Sequence, residues 1–207
     1  MKKLVILLAI VVVVALLAYS QRATIAERVM PRALVNALNS DPTAEWPDGL
    51  HLTVCGAGGP LPDPKRSGAC IAVKAGEEHF VVDAGTNGLR NLMRLRYPVG
   101  NIGAVLLTHF HSDHIDGLGE MATIRWVNGQ RTSPLPLIGP EGVEEIADGF
   151  NTAYRLDSVY RNAHHGDAVA PLSGFGLSAQ TFTTPAEGEL ATVYENGDLR
   201  IQALVVD

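Results

Sequence analysis

The apolar and polar positions of this chain change their period several times along its length, and each change marks an element. Lys2 and Lys3 open the sequence, and no charged residue follows from Leu4 to Tyr19. A basic start ahead of an apolar run is the pattern of an export signal or a membrane anchor. As a helix the run is about 24 Å long, short of the roughly 20 residues that cross a bilayer with ease. The small residues of Ala18-Tyr19-Ser20 permit cleavage after Ser20, and an uncleaved anchor fits equally well. Gln21 to Asn39 continues with helix-compatible mixed charge, broken at Pro31, and reads as a stalk. Asp41 to Gly49, "DPTAEWPDG", reads as a linker. The expected organisation is a signal peptide or anchor over 1–20, a helical stalk and linker over 21–49, and one domain over 50–207.

Within that domain the period is at first two. Leu50, Leu52 and Val54 alternate with His51 and Thr53, as in a half-buried strand. "CGAGGPLPDPKRSG" follows, a Gly/Pro-rich loop that excludes helix and central strand. Ala69 to Lys74 and His79 to Val82 form a hairpin around Ala75-Gly76-Glu77, ending at Asp83-Ala84-Gly85. Gly88 to Arg96 has the apolar spacing of a helix and stops before Pro98. Ala104 to Leu107 is wholly apolar, as a strand covered on both faces would be. Helices are expected over Leu118–Val127 and Glu141–Phe150, with a strand over Leu135–Ile138 between them. Asn151 to Pro185 reads as irregular, with a flap among the options, and Asn196-Gly197 as the turn of a last hairpin. Strands mixed with helices predict an α/β (α+β layered) domain.

Composition removes some partners. The net charge of −6 leaves no basic face for a long polyanion. Cys55 and Cys70 are few enough to read as two small buried apolar side chains, although an exported protein permits a disulfide between them.

The chemistry concentrates in "LLTHFHSDHIDGLGE", Leu106 to Glu120, which holds three of the seven histidines. His109 and His111 stand two apart, so in an extended segment both imidazoles lie on one side. Asp113 and His114 follow as the chain turns into a helix and aim at a second place nearby. Imidazole nitrogen with carboxylate oxygen is a ligand set for Zn²⁺, and with less preference for Mn²⁺ or Fe²⁺. Two ligand pairs suit two metals better than one. Asp113 as a mere helix cap would leave the clustered histidines unexplained.

These residues resemble the His-x-His-x-Asp-His signature of the metallo-β-lactamase superfamily. "VVDAG", Val81 to Gly85, resembles the strand ending in Asp-x-Gly that precedes that signature. "CGAGGPLPDPKRSGACIAV" resembles the opening of the ribonuclease Z and arylsulfatase-like branch. The resemblance implies a metallo-β-lactamase αββα sandwich, with His109 and His111 on a first zinc and Asp113 and His114 on a second. It implies that Asp113 also carries a proton, and that Asp83 steadies the ligand loop as a carboxylate behind the imidazoles. Arg66 matches the arginine of the opening loop and is a candidate for an anionic ester or for holding the loop. His164 and His165, in "YRNAHHGD", are candidates for substrate contact.

The family pattern calls for further ligands towards the C-terminus: a histidine, a bridging aspartate and a final histidine. The expectation is therefore a domain incomplete at its C-terminus, with a histidine following Asp207 in the parent and little activity in this piece alone. For the complete protein the resemblance implies a zinc hydrolase in which a two-metal-activated hydroxide cleaves a phosphodiester or an aryl sulfate ester. A small anionic ester ranks ahead of RNA as substrate, because the N-terminal segment points to an exported, periplasmic or membrane-anchored protein. A lactamase or lactonase, and an inactive metal-binding module, are the alternatives. The reading admits a homodimer.

Overall fold

The computed structural model describes residues 2–24, 41–61, 63–197 and 199–206. The chain divides into two units, Met1–Ser40 and Asp41–Asp207. In the first, helix α1 runs Lys2–Ser20, and the Arg22 guanidinium lies 4.1 Å from the centre of the Tyr19 ring. Among the described residues no helix is long and apolar enough to cross a membrane, so the anchor reading stands on the apolar run in the sequence. The stalk expected over Gln21 to Asn39 falls, beyond residue 24, outside the described residues.

The second unit begins with the stretch expected to be a linker. Asp41 instead caps a 3₁₀ turn, Pro42–Glu45, accepting from the Thr43 amide at 2.8 Å. Its other carboxylate oxygen accepts from Asn101 at 2.9 Å, and Trp46 packs on the core. The segment is part of the domain.

Six strands form one sheet in the order β1-β2-β3-β4-β5-β6: β1 Leu50–Gly56, β2 Cys70–Ala75, β3 Glu78–Val82, β4 Ala104–Leu106, β5 Leu135–Gly139 and β6 Leu177–Thr181. β1, β2 and β3 pair antiparallel, and β3 through β6 pair in parallel. The helices between the parallel strands are α2 Gly88–Arg94, the single turn α3 Ser112–Ile115, α4 Leu118–Asn128 and α5 Val143–His165. They cover one sheet face. Val81, Val105, Leu135, Leu137 and Leu177 meet Leu89, Leu92, Met121 and Ala147 there in one buried core.

The opposite face carries a second layer made of a hairpin, β7 Leu190–Asn196 and β8 Leu199–Leu204. Val193, Tyr194, Leu199 and Ile201 of the hairpin pack over Phe80, Ala104, Leu106 and Ile138. Helices, the six-stranded sheet and a second sheet two strands wide thus supply three successive layers of the expected αββα sandwich among the described residues.

Three expectations need correction. The alternation in β1 is real, but Leu50, Leu52 and Val54 are the exposed set, because they lie on the hairpin's face of the sheet beyond the hairpin's reach. Asn151 to Pro185 is not an irregular flap: α5 continues to His165 and β6 follows. The signal was available, since Val143, Ala147, Phe150, Tyr154 and Ser158 recur at steps of three and four. The expectation that Cys55 and Cys70 sit as separate apolar side chains also fails, because they are joined in a disulfide, Cα atoms 5.0 Å apart. The pairing of β1 with β2 sets Gly56 opposite Cys70 and brings the two ends of the Gly/Pro-rich loop together.

Candidate metal centre

The parallel register sets the site. Val82 of β3 stands beside Leu106 of β4, so the residues leaving the two strands, Asp83 and Thr108, meet at the sheet's end. Asp83 takes a left-handed conformation, φ 57°, and donates its amide to the Leu106 carbonyl at 2.9 Å. Its carboxylate then accepts from the Thr108 amide at 2.9 Å, from the Thr108 hydroxyl at 2.9–3.0 Å, and from His114 Nδ1 at 2.8 Å. Thus a buried carboxylate reaches both ends of the histidine segment.

The backbone is held just as closely. Ala84 donates to the His114 carbonyl at 2.7 Å and accepts from Gly117 at 2.7 Å, while Ala69 donates to the Asp113 carbonyl at 3.1 Å. A Cβ on Gly85 would come within 2.0 Å of that same Asp113 oxygen. The glycine of "VVDAG" is therefore required by backbone contact and not by a turn. Asn91 adds a stitch on the other side of the opening loop, donating to Cys55 O at 2.7 Å and Ser67 Oγ at 2.9 Å.

On this frame the sequence candidates converge in part. The ring centres of His109 and His114 lie 4.0 Å apart, and those of His109 and His111 4.7 Å apart. His109 Nε2 stands 3.0 Å from His111 Nδ1, and His114 Nε2 stands 3.5 Å from a buried Asp113 oxygen. Loss of water from the packed ring lowers the His109 imidazole below its ordinary titration range, and the His114 and His111 rings add to this against the pull of Asp83 and Asp113. His109 as a whole remains exposed to solvent. Neutral imidazole is the form that accepts a cation.

Among the described residues, however, no group of three or more His, Cys, Asp and Glu is arranged to hold a metal ion. The geometry gives the reason. His109 and His111 are turned onto one another and share a hydrogen bond, so their nitrogens face each other and not a common outside point. The donor chemistry fits zinc, and the position between the two nitrogens is the one a cation would contest with a proton.

The other candidates stand apart from this cluster. Arg66 is exposed and lines a shallow depression with Gly58, Gly59, Pro60, Leu61 and Asp63. Among the described residues its side chain makes no hydrogen bond or ion pair with the histidines; its amide donates to Asp63 at 3.2 Å. His164 and His165 close the last turn of α5, exposed and in edge contact with each other at 4.6 Å. Cations there complement the helix dipole, and no flap carries them. Sequence reasoning missed Thr108, whose hydroxyl joins Asp83 to His109 Nδ1 at 3.0 Å. Its signal was its place directly before the first histidine.

The comparisons with known proteins bear on this geometry. The model of the metallo-beta-lactamase superfamily matches residues 63–190. Ribonuclease Z of Mycolicibacterium gilvum is 40% identical over 124 residues, covering 59% of this chain and 43% of that protein. Ribonuclease Z of Mycobacterium marinum is 41% identical over 124 residues, with 59% and 44% covered. This chain therefore spans less than half the length of the curated relatives it matches. Among solved structures, the short form of human tRNase Z shares the fold at a TM-score of 0.55 and 20% identity, over 74% of this chain and 57% of that one. A long-form RNase Z from yeast does so at 0.51 and 14%, over 75% and 21%. With the signature in the loop after β4, the layered sheet and this match across more than half its length, the chain belongs to the metallo-beta-lactamase superfamily.

Proposed function

We propose that the chain carries the metal-binding face of a hydrolase that cleaves phosphodiesters. The observation that carries the reading is the His109, His111, Asp113 and His114 cluster backed by the Asp83 carboxylate. The hydrogen bonds assign the tautomers. Asp83 takes the Nδ1 proton of His114 and leaves its Nε2 lone pair beside Asp113. The Thr108 hydroxyl donates to Asp83 and accepts from His109 Nδ1, which leaves the His109 Nε2 lone pair pointed at His111 Nδ1, where a cation would displace the shared proton. Asp83 and Thr108 thus hold two imidazoles in ligand form, as carboxylates behind metal-bound histidines do. Zinc, when bound, would lower the pKa of a water and place positive charge opposite the anionic ester. Asp113, at the edge of that charge, is the group to carry a proton between water and leaving oxygen.

The ribonuclease Z relatives favour a phosphodiester over a β-lactam or lactone, and they bring RNA forward from the lesser place it holds on sequence grounds. Aryl sulfate esters offer a similar tetrahedral anion and belong in the same assay. Lys2, Lys3 and the uncharged run from Leu4 support export or anchoring, and the Cys55–Cys70 disulfide suits an oxidising compartment. Cell fractionation tests that part of the reading, and recovery in the soluble cytosol would end it. The main test is elemental analysis of zinc-loaded protein beside His111→Ala and Asp113→Ala. Both variants should lose zinc and any hydrolysis of a generic aryl phosphodiester together. Unchanged zinc in both would refute the ligand assignment.

A further inference from the structure

A cleft of about 440 Å³ lies between α2, α4 and α5, within the size range of small-ligand sites. Its rim includes Asp116 and Gly117, the residues directly after the turn that bears Asp113 and His114. One wall is Tyr154 with Ile124, and guanidinium groups enter from Arg90 of α2 and Arg161 of α5. Both arginines are held by carboxylates, Arg90 by Glu120 at 2.9 Å and Arg161 by Asp157 at 2.6 Å. Surface pairs of this kind are weak and exchange readily.

Two features show that the cleft is more than a gap between helices. Gly119 has no room for a side chain, because a Cβ would fall 2.1 Å from the Tyr154 ring. Helix α4 therefore gives up a side chain to let that ring approach its backbone at the cleft wall. Asn87 stands at the N-cap of α2, where a carboxamide ordinarily satisfies a helix amide, yet its side chain makes no capping bond and faces the cleft lining. Among the described residues neither the Asn87 amide nor the Tyr154 hydroxyl has a hydrogen-bond partner in the protein, so an aromatic face, a free amide and two forked cations share one concavity beside the histidine loop.

We propose that this cleft takes one nucleotide unit of the substrate next to the bond that is cleaved. The base lies on Tyr154 and Ile124, with Asn87 and Asp116 reading its polar edge or the ribose hydroxyl. The phosphate is met by Arg90 and Arg161, whose planar forks match its oxygens. An aromatic wall for the base with arginine for the backbone is the combination that binds single-stranded nucleic acid. The lining carboxylates balance the arginines, so a bare anion gains little; the site favours a ligand with both a ring and a phosphate. The inference rests on the phosphodiesterase reading for its substrate, but the binding itself needs neither metal nor turnover.

The test uses the full chain in the presence of a chelator, titrated with adenosine 5′-monophosphate, adenosine and inorganic phosphate and followed by amide chemical shifts. The nucleotide should saturate and shift residues of α2, α4 and α5, and each half-ligand should bind at least about tenfold more weakly. Arg161→Ala and Tyr154→Leu should each weaken nucleotide binding roughly tenfold, with Arg161→Lys between them and the parent. His111→Ala should bind as the parent does. No saturation by nucleotide, or equal binding in the parent, Arg161→Ala and Tyr154→Leu, would overturn the subsite. Loss in His111→Ala alone would move the nucleotide to the histidines and overturn it too. If zinc proves independent of His111 while Arg161→Ala abolishes nucleotide binding, the cleft stands and the hydrolase reading falls.

Discussion

One face of the six-stranded sheet is built in two ways. Over β3, β4 and β5 the hairpin β7–β8 closes on Phe80, Leu106 and Ile138, and the Phe80 and Tyr194 rings meet edge-on at 4.8 Å. Over β1 and β2 the same face continues with side chains just as apolar, but Leu50, Leu52 and Val54 are 67%, 64% and 62% exposed and Ile71 39%. Both halves obey the same alternation of inward and outward positions. The difference teaches that alternation says which side chains share a face, while burial of that face is decided by whatever second layer reaches it. A contiguous apolar stripe of this kind is a surface with an unmet preference for cover.

Phe80→Ala should separate the halves most strongly. It removes a ring that is 2% exposed beneath the hairpin, and urea denaturation should show a loss of about 3–5 kcal/mol. A loss near zero would mean that the hairpin lies on the sheet without sealing it.

A smaller effect sharpens the contrast between the stripe and the helix-covered face, where His79 is buried with its Nδ1 3.0 Å from the Tyr97 hydroxyl. Burial pulls the His79 imidazole below its unfolded value of 6.5 and Lys74 pulls the same way, against Asp41, Glu77 and Glu78. With the folded pKa the lower one, the unfolded chain takes up the proton first as pH falls. This contribution to stability is complete above the unfolded value, declines as pH drops below it, and levels off under the folded value. His79→Gln should flatten that part of the stability profile. An unchanged slope would show that the His79 ring is hydrated.

The smallest expected change lies on the bare half. Leu52→Thr with Val54→Thr should alter stability by about 0.5 kcal/mol or less while reducing self-association in light scattering. A cost above about 2 kcal/mol would mean that the stripe is covered in solution.

How much was legible in the sequence follows the same division. The spacing in "THFHSDH" and the carboxylate of "VVDAG" identify the right pieces, because each is a local pattern set by a strand running into a turn. That Asp83 bonds His114, 31 positions on, depends on the parallel register of β3 with β4, which no local spacing encodes. Tyr154 and Arg161 were hidden for a different reason. Polar residues crowd the second half of α5, and only its steps of three and four show that one face belongs against α4. Arg66 shows the reverse: a recognisable motif position whose side chain lines a depression that includes none of the histidines.

The bridge between Cys55 and Cys70 turns the glycine-rich segment into a closed ring, its two cysteines 15 positions apart. Such a ring changes what a protease can do. An exposed loop rich in glycine and proline is where nicking begins, yet a single cut anywhere between Gly56 and Ala69 leaves two polypeptides that cannot part. β1 stays hydrogen-bonded to β2 along its length, and the sulfur link holds the pieces together even where those bonds fray. The molecule is built to survive its first wound with its fold still in one piece.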